Sequence, residues 1–424
     1  MIILKDKTKS ICPICFNEID AKVIELDKNV FLLKECPEHG QFRVLIEKDA
    51  AFYKRLMNKG PLIEKMPLFN VVVAVTHECN LHCNVCYLPQ RDGHDLTFEE
   101  LKKIILDFEG KEIVLSGGEP TMREDLPAVI EFIVKNGKNA ILVTNGLRLT
   151  DIIYVKRLKN AGVTRVYVSF NAFNDDSYKE INGEDLLKSK LKILKNLKKE
   201  NVPTLISVMI VKGVNEKDLD RIYRYCIRNL SFVKQLRIRS SVHIGRYTEA
   251  SCIYLSEMVK MVSKIIGINV DAIISHSIEL ESSMSDFGNR LTGHKPCHIE
   301  IDLFSLLMKE VGINAINNSI SKKILAIFRL LPRLGIINIF KMIKRKLKGE
   351  KRLLDFGIGI TTFPDKYRID LGEMELCHTG HLIRSDKTIL PFCHAIILNE
   401  KDNNDLPPKK WTQRRVGGSI TASS

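Results

Sequence analysis

The sequence predicts an α/β protein, a parallel sheet covered by helices, and three observations carry that prediction. Between residues 68 and 270, short apolar runs alternate with amphipathic stretches of helical period. The apolar runs are nearly continuous, as strands buried on both faces are. Motifs with chemical character fall directly after the strands, where parallel α/β folds collect their ligand groups. Six such units fit either an incomplete (β/α) barrel or a doubly wound sheet.

The candidate strands are Phe69–Val75, Glu112–Leu115, Ala140–Val143, Thr164–Ser169, Thr204–Val211 and Phe232–Arg239. Helical patterns near 97–108, 124–135, 150–160, 184–199 and 215–229 separate them, and a last helix follows Ser256. Ahead of this core, residues 1–66 hold two cysteine-containing knuckles and a short helix from Asp49 to Asn58, closing at Gly60-Pro61 and Pro67. Past 270 the pattern turns irregular, giving a C-terminal extension over 271–398, with no internal repeat. From Asn399 to Ser424 the chain is polar and ends in Gly and Ser, as disordered tails do.

A chain of 424 residues with 45% hydrophobic content is long enough for one large domain with smaller attachments. Eleven cysteines and no secretory apolar core at the start argue for a reducing compartment, with metal sites in place of bridges. No run approaches the roughly 18 apolar residues of a spanning helix, so the expectation is a cytoplasmic protein. The net charge of +14 is concentrated: eleven Lys/Arg face the single acid Glu350 between Lys322 and Arg352. The total is therefore no argument for nucleic-acid binding.

Cys79, Cys83 and Cys86 follow the first core strand at spacings of four and three. Three thiolates so spaced can hold three corners of a [4Fe–4S] cluster and leave one iron open to a ligand. Zinc, the competitor, usually takes a fourth nearby ligand and C-x2-C pairs. After the second strand comes Ser116-Gly117-Gly118-Glu119-Pro120. By itself this reads as a Gly-Gly turn stopped by proline. Beside an open iron, the carboxylate of Glu119 suits a ligand that carries an ammonium group.

Together these motifs resemble those of the radical S-adenosylmethionine (SAM) enzymes, over about 68–270. The resemblance implies a partial (β/α)6, TIM-like barrel, with a [4Fe–4S] cluster on Cys79, Cys83 and Cys86. It implies that SAM chelates the open iron while Glu119, Gly117 and Gly118 hold its amino group. One electron would then yield a 5′-deoxyadenosyl radical that takes hydrogen from an unactivated carbon. A reduced ferredoxin- or flavodoxin-like donor is the expected partner. The position before the third cysteine is commonly aromatic in that family; here it is Val85, with Tyr87 following. The strand ends Thr144-Asn145-Gly146 and Ser169-Phe170-Asn171 offer Asn145, Ser169 and Asn171 to the SAM carboxylate and ribose, or cap the strands.

Cys12-Pro13-Ile14-Cys15 and Cys36-Pro37-Glu38-His39 form two knuckles that match a three-thiolate, one-imidazole site. Zinc or a mononuclear iron would stabilise a small module there. Such knuckles ahead of a radical SAM barrel resemble the archaeal group that contains tetraether lipid synthases and proteins described as pterin methyltransferases. In that group C-terminal cysteines hold auxiliary [4Fe–4S] clusters, and Cys297, Cys377 and Cys393 sit in comparable contexts. A second cysteine expected near Cys297 is absent, with Glu300 nearby. Cys226 reads as a packed core thiol; Cys252 is left open.

Apolar residues interleaved with Lys and Arg from Ile324 to Lys346 suit a helix lying on the inner face of an anionic membrane, or a solvated helix pair against the barrel. The expectation for function is carbon–carbon bond formation on apolar isoprenoid lipid chains. Methylation of a pterin or similar heterocycle is the alternative, with SAM as both methyl source and radical initiator, and peptide maturation a third. A zinc-binding, nucleic-acid-associated protein is the rival from another class. The strand-end Gly-Gly-Glu-Pro loop and the local charge speak against it.

Overall fold

The computed structural model describes residues 1–57, 68–88, 95–246, 252–284, 297–310, 330, 334–347, 355–374, 379–382 and 389–403. Strands β1 (Ile2–Ile11), β2 (Glu18–Leu26), β3 (Asn29–Cys36) and β4 (Gly40–Glu47) form an antiparallel sheet in sequence order. The β2–β3 turn is Asp27-Lys28, with φ of 49° and 64°, the two left-handed residues of a type I′ hairpin. Alternation then places Ala21, Val23, Val30 and Leu32 against Ala50 and Tyr53 of the following helix, Ala50–Met57.

The second sheet contains β5 (Asn70–Thr76), β6 (Glu112–Gly117), β7 (Asn139–Thr144), β8 (Arg165–Ser169), β9 (Thr204–Ile210) and β10 (Val233–Ser240), paired in parallel in that order. These are the six strands expected from the apolar runs. One face packs on the helices: Val71, Val73, Ile113, Leu115, Leu142, Val166, Ile206 and Leu236 join Ile130, Val155, Ile193 and Ile222 in one core. Burying each such side chain contributes about 1.5–3 kcal/mol. The alternate residues Val72, Val114 and Ile141 form a smaller inner cluster with Val143, Tyr167 and Phe392.

The C-terminal extension, irregular as a sequence, lengthens this sheet at both edges. Strand β12 (Gly357–Thr361) lies parallel beside β10, with β11 (His298–Asp302) antiparallel outside it. At the other edge β13 (Thr379–Leu382) is parallel to β5, and β14 (Ile389–Pro391) is antiparallel to β13. The ten strands run from β11 to β14, which are not paired with each other. The architecture is thus a partial barrel. The helix Phe392–Asn403 continues past Asn399, where the sequence suggests a tail, and residues 404–424 lie outside the described ones.

The small sheet is latched to the barrel by buried polar contacts. Glu47 accepts hydrogen bonds from Ser256 N and Oγ at the start of the helix Leu255–Ile266, flanked by the Lys48–Glu257 and Lys260–Asp49 pairs. Lys34 Nζ, buried, donates to Ser10 Oγ, Ile11 O and Lys366 O. Among the described residues no helix is long and apolar enough to cross a membrane.

Candidate active site

The cysteine loop leaves the carboxyl end of β5 and is fixed by its neighbours. Asp95 accepts from Thr76 Oγ1 at 2.6 Å and from His77 N at 2.8 Å. Gly118 N donates to Thr76 O at 2.8 Å and Glu119 N to Glu78 O at 2.7 Å. This contact requires both glycines. A Cβ on Gly117, whose φ is +131°, would lie 2.2 Å from Thr76 O, and one on Gly118 would lie 2.3 Å from Glu78 O. The Gly118 and Glu119 amides are therefore taken.

Glu119 is held at the strand ends by its neighbours. It is 1% exposed, and its carboxylate accepts from Thr121 N (3.1 Å), Thr121 Oγ1 (2.6 Å), Thr144 Oγ1 (2.6 Å) and Asn145 N (2.6 Å). Three of these bonds fall on Oε1 and one on Oε2, so Oε2 keeps acceptor capacity. Glu119 ties the β6 turn to the end of β7.

The other strand-end candidates are also drawn into scaffolding. Asn145 Nδ2 donates to Asn80 Oδ1 at 2.7 Å and lies 3.9 Å from Cys79 Sγ. The Ser169 hydroxyl and carbonyl both receive Lys190 Nζ at 2.9 Å, and Asn145 O receives it at 2.6 Å. Asn171 Oδ1 accepts from Met209 N at 3.0 Å, and its amide nitrogen donates to Asn182 Oδ1 at 3.4 Å. Asn182 Nδ2 reaches Cys83 Sγ at 3.1 Å.

Lys190 and Asn182 escape the sequence reading. Lys190 sits among the lysines of the helix Leu187–Lys199, yet it is 1% exposed. The available signal is its place on the apolar stripe of Leu186, Ile193 and Leu197. Burial lowers its pKa to about 8, while Glu119 and Cys83 pull it back up.

Around the thiols, Cys79 and Cys83 pack on an apolar floor of Leu81, Ala172, Tyr178 and Leu186. Arg246 closes the loop, donating through N to Cys86 O at 2.9 Å and through Nη1 to Cys83 O at 3.4 Å. Three thiols on one loop, an apolar floor and amide donors near two of the sulfurs fit a cluster with one open iron.

The inner face of the barrel beside this loop is polar and aromatic. On β10, Leu236 and Ile238 face the helices, so Gln235, Arg237 and Arg239 face inward. Glu300 accepts from Gln235 and pairs with Arg237 (3.5 Å) and His298 (2.9 Å). Burial opposes its charge, but Arg237 and His298 hold it below the usual carboxylate range. Glu300 thus belongs to an ionic network. Gly359 makes room for it, since a Cβ there would lie 2.7 Å from Arg237 Nη1. Arg239 lies over the Phe363 ring at 5.6 Å, and Phe392 packs edge-on to Tyr87. Tyr87 and Tyr167 interact with the Arg239 charge, which burial and Arg237 disfavour. Among the described residues the Arg239 side chain has no hydrogen bond or ion pair.

The knuckles meet as expected. The ligand atoms of Cys12, Cys15, Cys36 and His39 all lie within 4.8 Å of one another, with Cys15 and Cys36 sulfurs 3.9 Å apart. A tetrahedral ion with metal–sulfur bonds of about 2.3 Å separates its thiolates by about 3.8 Å, so the set fits zinc. Burial raises the Cys36 thiol, yet hydrogen bonding to His39 and to the Glu38 and His39 amides brings it to about 7.

Cys393 is buried with Ile11, Ile369 and Ile397, whereas Cys297 lines a cavity with Tyr53, Tyr254 and Thr362; Cys377 lies outside the described residues. Cys226 is a core thiol, and Cys252 is buried beside Arg368.

Comparison with known proteins agrees with this geometry. Residues 73–226 match the radical SAM superfamily, and residues 4–48 match the HMPTM N-terminal zinc ribbon domain. The chain thus carries a radical SAM domain over residues 73–226 and is an enzyme. Along its length it is similar to 7,8-dihydro-6-hydroxymethylpterin dimethyltransferase of Methanocaldococcus jannaschii, at 26% identity over 501 aligned positions that take in 98% of this chain and 99% of the relative. It is also similar to a probable GTP 3′,8-cyclase of Pyrococcus horikoshii, 32% identical over 38% of this chain and 52% of that one. Among solved structures, Streptococcus suis SuiB bound to S-adenosylmethionine aligns over 47% of each chain with 17% identity and a TM-score of 0.42.

Proposed function

We propose that this chain is a radical SAM methyltransferase acting on a flat nitrogen heterocycle of the pterin class. The observation that carries the reading is Arg239, an inward guanidinium with no protein acceptor among the described residues, set with Tyr87, Tyr167, Phe363 and Phe392. A guanidinium fork suits the carbonyl and ring-nitrogen edge of a pterin, and aromatic rings suit its faces. The end-to-end similarity to the archaeal pterin dimethyltransferase supports it.

When bound, the cluster and SAM supply one-electron cleavage of the sulfonium and a carbon radical that takes hydrogen from the substrate. Each methylation balances with two SAM and two electrons from a reduced iron–sulfur or flavin protein. One SAM leaves as methionine and 5′-deoxyadenosine carrying the substrate hydrogen. The other gives its methyl to that carbon and leaves as S-adenosylhomocysteine. The chain's own residues position the ring at Arg239 and hold the cysteine loop through Arg246 and Asn182.

A second reading, coupling of isoprenoid lipid chains at a membrane surface, is favoured by one feature. In the helix Ile336–Leu347, the apolar residues Ile336, Ile337 and Phe340 are exposed beside exposed Lys341, Lys344 and Arg345. Incubating the reduced, cluster-loaded enzyme with methyl-labelled SAM and either 7,8-dihydro-6-hydroxymethylpterin or diether lipids separates the two. Label in the pterin supports the first reading. A lipid product lighter by hydrogen, with unlabelled pterin, replaces it by the second.

A further inference from the structure

We infer that Asn182 and Asn171 are positioning residues that set the reduction potential of the barrel cluster through Cys83, whichever substrate the barrel takes. Asn182 is the last residue of the helix Asp175–Asn182, and Gly183 at φ +81° ends the helix there. Asn182 and Asn171 are 6% and 5% exposed, so their hydrogen bonds are made within the protein.

The direction of each bond follows from a single backbone group. Met209 N on β9 donates to Asn171 Oδ1 at 3.0 Å, which fixes that amide with its oxygen toward β9. Its NH2 must then face Asn182, where it meets Oδ1 at 3.4 Å. Asn182 can therefore present only its own NH2 to Cys83 Sγ, at 3.1 Å. Asn171 is locked besides by Asn215 Nδ2 on its carbonyl (2.8 Å) and by its amide donating to the Tyr178 hydroxyl (3.2 Å). The relay points a donor at one particular thiolate. The side-chain amide near Cys79, that of Asn145, lies 3.9 Å away and already donates to Asn80.

A donor on a ligand sulfur stabilises the more negative, reduced cluster, so it raises the reduction potential. The Lys190 cation, which interacts with Cys83 and Glu119, acts in the same sense. The sequence hides the device because residues 83, 171, 182 and 209 are far apart in the chain and individually ordinary.

The test is a potentiometric titration of the full-length, reconstituted protein, following the SAM-responsive electron paramagnetic resonance signal. Asn182→Leu removes the donor. At a fixed solution potential its ratio of reduced to oxidised cluster should fall threefold to tenfold, the upper end being ~59 mV for a one-electron couple. Asn171→Asp keeps the acceptor for Met209 N but turns an oxygen toward Asn182 Oδ1, so it should shift the potential in the same direction without touching Cys83. An unchanged or higher potential in both variants, with the signal intact, would overturn the inference. So would loss of the cluster from both, which would show a purely structural role. If Asn182→Leu alone fails to load iron, the Asn171→Asp shift decides.

Discussion

Lys190 and Ser169 are joined twice, the ammonium donating to both the carbonyl and the hydroxyl of Ser169 at 2.9 Å, and its third bond to Asn145 O links the ends of β7 and β8. A buried cation with three acceptors is a structural tie under the cysteine loop, and Glu119 extends the tie from β7 to the β6 turn.

Lys190→Met should therefore be severe. It removes a charged donor and leaves buried oxygens without it, at a cost of at least about 3 kcal/mol. Urea denaturation measures the loss; a change within about 0.5 kcal/mol, as at ordinary surface positions, would contradict the structural tie.

The latch at Glu47 should show in the pH dependence of stability. Burial raises this carboxyl above its usual range, with hydrogen bonds from Ser256, Lys48 and Asp49 pulling it back. A raised folded pKa gives a contribution that is complete below the unfolded value of 4.5 and fades as pH rises through the folded pKa. Because Glu47→Gln removes the titrating group, wild-type stability should fall relative to that of the variant as pH rises from about 4 to 7. Melts across that range check the sign; a wild-type chain that gains stability relative to the variant over that range would contradict the buried placement.

Cys36→Ala should cost the protein about one metal ion, since structural sites of this kind hold a single four-coordinate ion. Amide protection should be lost in β1–β4 and retained in β5–β10, because the small module depends on its metal while the barrel has its own core. Hydrogen exchange with metal analysis checks this. Retained protection in β1–β4 would show that the ribbon folds without the ion.

Arg239→Gln should lower kcat/KM for pterin methylation by about tenfold to a hundredfold, the value of one or two hydrogen bonds from a charged donor. Lysine at the same position should rescue poorly, because a point charge does not reproduce the fork. Steady-state kinetics on the three forms checks the assignment; full activity with glutamine would remove Arg239 from the substrate site.

The six core strands and the cysteine loop were legible because their signals are local: apolar runs of strand length, and ligands only a few residues apart. The knuckle ligands were legible for the same reason, although Cys15 and Cys36 are brought together by the pairing of β2 with β3. The edge strands were not. Thr379–Leu382 pairs with Asn70 to Val72 across most of the chain, and a four-residue strand carries no period of its own. Glu119 was legible from its motif, but its bonds to Thr144 and Asn145 join residues too far apart in sequence to be read there. Lys190 was hidden by composition, one lysine among several on its helix, distinguished by position alone.

The most direct measurement is anaerobic SAM cleavage by the dithionite-reduced, cluster-loaded enzyme, with Cys83→Ala as control. The account predicts 5′-deoxyadenosine from the wild-type chain and none above background from the variant. It also predicts that S-adenosylhomocysteine and a methylated pterin appear together when the pterin is supplied. Wild-type protein that contains its cluster yet forms no more 5′-deoxyadenosine than Cys83→Ala would contradict it.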